Sequence, residues 1–274
     1  TTPTISPPRR NLRGFCYTGR MSWAARRRFI ILLVIGAVSI AFLAAISIAT
    51  FYEAPSCSDN KQNQDEAGID CGGSCAYLCT EQNQPPTVLF TKAIQNGEGR
   101  VDVIAKVENK NADAAAKNVS YKVTLYGSDQ SIIQEMTGTI DLPPSGSVPV
   151  FVPNIQIGSQ TVVSAFLDIE SSSLRWFSMP SDTRIVPEVS NTKQTGTVSS
   201  PRIEAIFTNP SAIAITNIKA VILVHDDKSG VIAASSTIIP KISAQGQVTA
   251  TFTWNYAFSD MPVSIEVVPI IPLP

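Results

Sequence analysis

The stretch VDVIAKVEN, residues 101–109, decides the fold, because every second side chain from Val101 to Val107 is apolar. Successive side chains of a β-strand point to opposite faces, so this period of two predicts a strand with one buried face. The stretch VSYKVTLYG, residues 119–127, has the same period and predicts a second such strand. The residues predicted to face the core are Val101, Val103, Ala105 and Val107 in the first strand and Val119, Tyr121, Val123 and Leu125 in the second.

Similar sequence blocks recur roughly 100 residues later in the chain. The triplet VEN at 107–109 corresponds to FTN at 207–209, and Asn118-Val119 corresponds to Asn217-Ile218. Four further blocks match in the same order: 123–127 with 222–226, 132–133 with 231–232, 140–148 with 239–248, and 165–169 with 263–267. Matched blocks that keep their order predict a tandem repeat of one β-domain.

Each repeat contains short strands separated by turns that carry Asn, Gly, Pro or Ser, and neither repeat contains a cysteine. Seven short strands in roughly 90 residues predict an immunoglobulin-like β-sandwich without a domain disulfide. The fold class is therefore mainly β, with sandwich domain 1 at residues 85–182 and sandwich domain 2 at 183–274. The stretch PSDTRIVPE between them is short, which favours a semi-rigid rod of two domains.

Three blocks of the first repeat resemble the FxLYD-type domain of prokaryotic surface proteins. They are VENKN at 107–111, Asn118-Val119 and VTLYG at 123–127. In that family the strand after the Asn-Val pair carries Phe-x-Leu-Tyr-Asp, whereas Val123 and Gly127 stand at the ends of the motif here. The second repeat reads ILVHD at 222–226. The resemblance implies a fold, but no reaction and no particular ligand.

A Cys-rich module is predicted at residues 53–84, because residues 57–79 read CSDNKQNQDEAGIDCGGSCAYLC. This segment has too few apolar side chains to fold by packing alone. Clustered cysteines in even number predict two disulfides, with three pairings open, and disulfides persist in oxidising compartments. Zinc is the weaker alternative, because C-x3-C-x3-C lacks the usual C-x2-C spacing. The four cysteines are Cys57, Cys71, Cys75 and Cys79, while the fifth, Cys16, lies on the other side of the apolar run described below.

The same module carries oxygen-bearing side chains along a short loop that contains glycine. Asp59, Asn63, Asp65 and Asp70 supply the ligand type that calcium prefers, so they predict a calcium site. Their spacing does not fit an EF-hand loop. The alternative is a solvated acidic loop, in which the Asp and Asn residues only stabilise turns.

The module also resembles a short cysteine motif of exported prokaryotic surface proteins, C-x-D-G-x-x-N-x-x-E-x-x-x-D-C-G-G-x-C-x-x-C. In this chain Asn60 replaces the usual glycine, and the last spacing is one residue longer. The resemblance implies surface exposure. The matching residues are Cys57, Asp59, Asn63, Glu66, Asp70, Cys71, Gly72, Gly73, Cys75 and Cys79.

Residues 29–52, FIILLVIGAVSIAFLAAISIATFY, form an uninterrupted run without a charge. As a helix this run rises about 36 Å, enough to cross the roughly 30 Å of hydrocarbon in a bilayer. It predicts a transmembrane helix. A cleaved signal peptide is the alternative, but its apolar region normally spans about 7–15 residues and ends at small side chains.

The charges on the two sides of the run predict its orientation. Seven arginines and no acidic residue precede it, and Glu53 follows it. Because basic flanks stay in the cytoplasm, residues 1–28 are predicted to be a cytoplasmic basic segment and the region after residue 52 to be extracytoplasmic. All 22 acidic residues and 14 of the 21 basic residues lie after residue 52, which gives that region a net charge of −8. Such a surface disfavours nucleic acid as a partner.

No constellation of catalytic side chains stands out in the sequence. His225 is the single histidine, and a histidine without a serine or cysteine partner cannot build a nucleophilic triad. Motifs for nucleotide binding, zinc proteolysis and the hydrolase nucleophile elbow are absent. Two aromatic clusters, Trp176-Phe177 and Trp254-Tyr256-Phe258, suit either a carbohydrate platform or core packing.

The sequence therefore predicts a non-enzymatic, membrane-anchored extracytoplasmic protein that displays tandem β-sandwich domains for structural or binding contacts. No cofactor is expected apart from calcium. The expected partners are the membrane, through residues 29–52, and proteins or glycans of the envelope. The alternative is an accessory subunit of an envelope secretion or pilus-type assembly, in which small residues of the span permit close contacts between helices.

Overall fold

The stretches 101–109 and 119–127 form strands of two different sheets that face each other. The computed structural model describes residues 22–52, 56–63 and 65–274. In the first repeat, one sheet has the strand order β1-β2-β5 and the other β4-β3-β6, with β7 paired to the start of β3. Neighbouring strands are antiparallel. The strands are β1 (Thr87–Gln95), β2 (Arg100–Asn109), β3 (Ala114–Tyr126), β4 (Ile132–Leu142), β5 (Gly146–Gln156), β6 (Ser164–Ile169) and β7 (Trp176–Ser178).

The second repeat has the same strand order. Its sheets are β8-β9-β12 and β11-β10-β13, so each strand from β8 to β13 takes the position of the corresponding strand from β1 to β6. Within residues 188–270 this copy has six strands and no counterpart of β7. The structure therefore bears out two copies of one β-sandwich pattern, with six strands rather than the expected seven in the second. The strands are β8 (Glu188–Thr197), β9 (Ser200–Thr208), β10 (Ile215–His225), β11 (Val231–Ile242), β12 (Gln247–Thr253) and β13 (Ser264–Ile270).

Each sandwich has its own apolar core between its two sheets. In the first, all eight residues predicted to face the core lie in it, seven of them buried and Tyr121 half-buried. In the second, the large buried side chains include Ile203, Phe207, Ile222 and Phe252. The period of two therefore identified the correct inward faces of β2 and β3.

A buried asparagine holds the same loops together in both copies. Asn109 is the last residue of β2 and Asn209 directly follows β9, and their exposed fractions are 1% and 0%. Each side-chain amide donates to two loop carbonyls, and each side-chain oxygen accepts from the backbone N–H two residues later. The partners are Ala114 O (2.8 Å), Pro143 O (2.8 Å) and Asn111 N (3.0 Å) for Asn109, and Ile213 O (2.7 Å), Ser243 O (3.0 Å) and Ser211 N (3.0 Å) for Asn209.

The two sandwiches pack face to face through a third apolar layer, which we call the interdomain layer. Its buried members come from the outer face of β1, β2 and β5 and from the outer face of β10 and β11. The predicted rod is therefore wrong, because the outer faces of two sheets bury each other and residues after the helix form one compact body. The buried members are Ile94, Ile104, Phe151, Val221, Leu223, Val231 and Ala234.

Polar contacts fix the linker and the C-terminal segment to this body. The Arg184 guanidinium forms an ion pair with Asp182 at 2.6 Å and holds the pKa of that carboxyl below its usual value. The same guanidinium donates to Ile271 O at 2.6 Å, which ties the linker to the segment that follows β13. Leu273 is buried beside Ala115 and Met179 of the first repeat. These contacts attach both the linker and the C-terminal segment to the compact body.

Helix α1 (Trp23–Phe51) contains the apolar run and satisfies the length and composition of a membrane span. It begins six residues before the predicted start, because Ser22 caps it by accepting a hydrogen bond from Ala25 N at 3.3 Å. The Arg27 guanidinium lies 5.6 Å from the centre of the Trp23 ring. Arg9, Arg10, Arg13, Arg20, Cys16 and Glu53 lie outside the described residues.

Candidate functional site

Two disulfides close the Cys-rich module. Cys57 bonds to Cys75 and Cys71 bonds to Cys79, which confirms the predicted pairing of all four and selects one of the three arrangements. Gly68 is required beside them, since a Cβ there would lie 2.9 Å from the sulfurs of both Cys71 and Cys79. Disulfides that close loops of this length each stabilise a fold by roughly 2–4 kcal/mol. The pairing leaves no thiolate for zinc.

Three of the predicted calcium ligands, Asp59, Asp65 and Asp70, act as acceptors for nearby donors, whereas the Asn63 side chain donates. The Asp70 carboxylate accepts from Asp59 N and Asn60 N, each at 3.0 Å. Asp59 accepts from Lys61 N at 2.9 Å and from the Asn63 amide at 2.7 Å. In the described part of the module, the carboxylates of Asp59, Asp65 and Asp70 do not converge within 4.8 Å of one another. This arrangement stabilises turns, and calcium binding stays a prediction.

A buried acid lies beside the first disulfide. Glu66 is 6% exposed, and its carboxylate accepts from Asn63 N at 3.1 Å. Its other oxygen lies 3.2 Å from the Cys75 sulfur. Cys57, Cys75 and Glu66 bring three ligand-type atoms together, but the two sulfurs are bonded to each other and cannot coordinate a metal as thiolates. Glu66 therefore has a structural role beside the Cys57–Cys75 disulfide.

Replacing Asp70 by alanine is expected to loosen the module and to test calcium in the same experiment. The change leaves two backbone N–H groups without their acceptor, at a cost of about 1–3 kcal/mol. Limited proteolysis of the full chain should cut residues 57–79 faster in the variant. If calcium binds here, adding it will slow cleavage of the wild type and not of the variant. Equal rates with and without calcium in both proteins would exclude a calcium site at Asp70. The exposed Glu81→Ala is the control.

The module is docked on the first sandwich. Leu78 N donates to Trp176 O at 2.8 Å, and the Leu78 side chain packs against the first core. Asn111 and Gln84 exchange two hydrogen bonds of 2.8 Å between side chain and backbone. The disulfides therefore fix a segment that is itself attached to β7 and to the loop after β2.

The single histidine lies at the boundary of the two sandwiches. His225 Nε2 lies 3.7 Å from a Glu266 oxygen, and the other Glu266 oxygen pairs with Lys106 Nζ at 2.6 Å. Lys106 belongs to the first repeat and Glu266 to the second. His225 Nδ1 lies 3.3 Å from Ser229 O. Lys106 and Glu266 therefore join the two repeats, and His225 lies beside this ion pair within the second repeat.

Most aromatic side chains of the two clusters pack in the cores of the sandwiches. Trp176 is 0% exposed in the first core. Trp254 is buried in the second, where its indole donates to Ala234 O at 3.0 Å and its ring meets Phe258 edge-on at 5.1 Å. β12 ends at Thr253, so Trp254, Tyr256 and Phe258 lie on the loop that follows it. Tyr256 differs from its neighbours, because it borders two clefts.

The clefts beside Tyr256 lie between the two repeats. We call the smaller one, of about 240 Å³, the Asp102 cleft. The larger one has a volume of about 430 Å³ and is lined by Lys92, Gln95 and Ser259 among others. Burial, with a smaller contribution from the nearby Asp102 charge, raises the pKa of Tyr256 to about 12. The Asp102 cleft is lined by Asn96, Asp102, Phe151, Pro153, Ala234, Ser235, Ser236, Thr253, Trp254, Asn255 and Tyr256.

Asp102 is the cleft residue that sequence reasoning missed. It is 4% exposed, on a strand where Val101, Val103 and Ile104 are also buried. A charged residue within a run of apolar ones was the available signal, because carboxylates are rarely buried without a reason. A larger cleft of about 600 Å³ lies along β3, β4 and β6, where Tyr121 and Lys122 are among its lining residues.

Comparisons with known proteins assign no family. No protein-family model and no curated protein matches the sequence. Among solved structures, the chain is similar to a red sea bream transglutaminase (13% identity, TM-score 0.23, covering 69% of this chain and 31% of that one). It is also similar to a family 2 β-glucuronidase (12% identity, TM-score 0.19, 80% and 29%) and to the exo-β-D-glucosaminidase CsxA (12%, 0.17, 62% and 26%). The chain spans less than a third of each, and likenesses this distant carry no argument about its activity.

Proposed function

We propose that this chain is a membrane-anchored extracytoplasmic protein that displays a fused pair of β-sandwiches for structural or binding contacts. The observation that carries the proposal is the combination of an apolar helix, Trp23–Phe51, with two disulfides that begin a few residues after it. Structural disulfides persist in oxidising compartments, which supports an exported location for the region after the helix. The arginines at the start of the helix support a cytoplasmic N-terminus.

We further propose that the role is not enzymatic. The support is that the titratable residues singled out in the sequence have structural partners: His225 lies beside Glu266, which pairs with Lys106 of the first repeat, and Asp59 and Asp70 accept hydrogen bonds in the module. The fused sandwiches hold the clefts between them in one compact body, which suits recognition of a ligand. The alternative role as an accessory subunit of an envelope assembly stays a prediction.

Protease added to intact cells or spheroplasts is expected to remove the region after the helix and to spare residues before Phe29. The physical reason is the arginine-rich flank, which keeps the N-terminus in the cytoplasm. Immunoblots against tags at the two ends of the full chain measure the result. Detergent-lysed cells, in which both ends are digested, provide the control. Protection of the C-terminal tag in intact cells would contradict the proposed orientation.

A further inference from the structure

Asp102 is a buried carboxylate that forms no ion pair with any of the described residues. Its Oδ1 accepts from the Asn96 amide and from Asn154 N, both at 2.7 Å, while Oδ2 accepts no hydrogen bond from residues 56–63 or 65–274. Arg100, on the same strand, donates instead to Asn154 Oδ1 at 3.5 Å, and Lys106 pairs with Glu266. Burying a charge without a cationic partner costs free energy, which a cationic ligand would recover.

The surroundings of Asp102 suit a small group with several hydrogen-bond donors. Ser235, Ser236 and Asn255, whose side chains carry acceptor oxygens, line the Asp102 cleft together with the aromatic residues Phe151 and Tyr256. Its volume of about 240 Å³ lies below the roughly 300–1,000 Å³ of sites for drug-sized ligands. The cleft therefore fits one functional group, or one residue of a longer chain, better than a whole large ligand.

We propose that the Asp102 cleft binds a primary ammonium group. An ammonium carries three donors and one positive charge, so it can pair with Asp102 Oδ2 and donate to neighbouring hydroxyl or amide oxygens. Aromatic faces attract cations as well, which favours an ammonium over a neutral hydroxyl of similar size. The net charge of −8 on the region after residue 52 draws cations towards this surface.

Two sources present such a group outside a cell: a lysine side chain of a partner protein and an amino sugar of an envelope glycan. Both offer the same chemistry to Asp102. This inference specifies the ligand class for the binding role proposed above and rests on that role. The test below distinguishes the two sources.

The test is a titration of the full chain, in detergent micelles, followed by saturation-transfer NMR. The probes are glucosamine and Nα-acetyl-lysine methylamide, with N-acetylglucosamine and Nα-acetyl-norleucine methylamide as matched neutral controls. If an amine binds and its neutral control does not, the result supports the proposal and identifies the source. Binding of neither amine overturns it. Equal binding of an amine and its neutral control also overturns it, because the cleft would then recognise the rest of the molecule.

Variants locate the binding in the cleft. Asp102→Asn keeps the shape and the acceptor for Asn96 and Asn154, and is expected to lower amine affinity about tenfold or more, as for one hydrogen bond between charged partners. Asp227→Asn removes the same charge from an exposed turn and should leave the affinity unchanged. If Asp102→Asn does not fold, Asn255→Arg provides the second test. It places a guanidinium at the exposed rim of the cleft and should block the amine. Unchanged affinity in whichever variant folds overturns the proposal.

Failure of amine binding and failure of the proposed function can be told apart by these experiments. Failure of both amines to bind would leave the protease result, and hence the anchored orientation, intact. Protection of the C-terminal region from protease would remove that orientation without altering the titration.

Discussion

Replacing Val221 by lysine is expected to destabilise the paired sandwiches by about 3 kcal/mol or more, since it places an ammonium in a packed apolar layer. Val221 is 0% exposed in the interdomain layer, which also contains Ile104 and Phe151 of the other repeat. Thermal unfolding of the full chain, followed by circular dichroism, measures the effect. For a chain of this size each kcal/mol lowers the melting temperature by roughly 2–4 °C.

The reverse change in the first repeat is the matched control. Lys122 occupies the position in β3 that Val221 occupies in β10, but it lies on a free face and pairs with Glu135 at 3.1 Å. Lys122→Val should therefore leave the melting temperature nearly unchanged. Similar small shifts in both variants would contradict the packing of the two sandwiches against each other.

Replacing Asn209 or Asn109 by alanine is expected to cost about 3–5 kcal/mol, because each change leaves several buried backbone groups without hydrogen bonds. The two losses should be similar, since the two side chains bond to equivalent loops. Urea unfolding of the full chain measures both. Asn255→Ala, at an exposed asparagine, should stay within about 0.5 kcal/mol of the wild type. A cost near that of the control would show that the buried amides are dispensable.

Much of the fold follows from local pattern. The period of two placed the inward faces of β2 and β3 correctly, and the matched blocks identified the repeat whose strand order the structure shows twice. The helix was recognised by its length without charge, although its cap at Ser22 moved the start. These features depend on neighbours in the sequence, so sequence alone was sufficient for them.

The missed features depend on contacts between distant segments. The pairing of four cysteines has three solutions that differ only in three dimensions. The interdomain layer had one local signal: residues 220–224, AVILV, are apolar without alternation, which is typical of a strand buried on both faces. The Asp102 cleft forms only when loop 254–259 of one repeat meets β2 of the other, so no spacing in the sequence marks it.

The face-to-face contact joins unlike surfaces, the β1-β2-β5 face of one repeat and the β11-β10-β13 face of the next. A contact of this head-to-tail kind does not close on itself, and copies that all carried both surfaces would extend into a filament. The outer face of the first repeat's β4-β3-β6 sheet lacks this apolar surface, since it has Lys122 and Thr124 where the second repeat has Val221 and Leu223, so the first repeat offers no equivalent surface to a further copy.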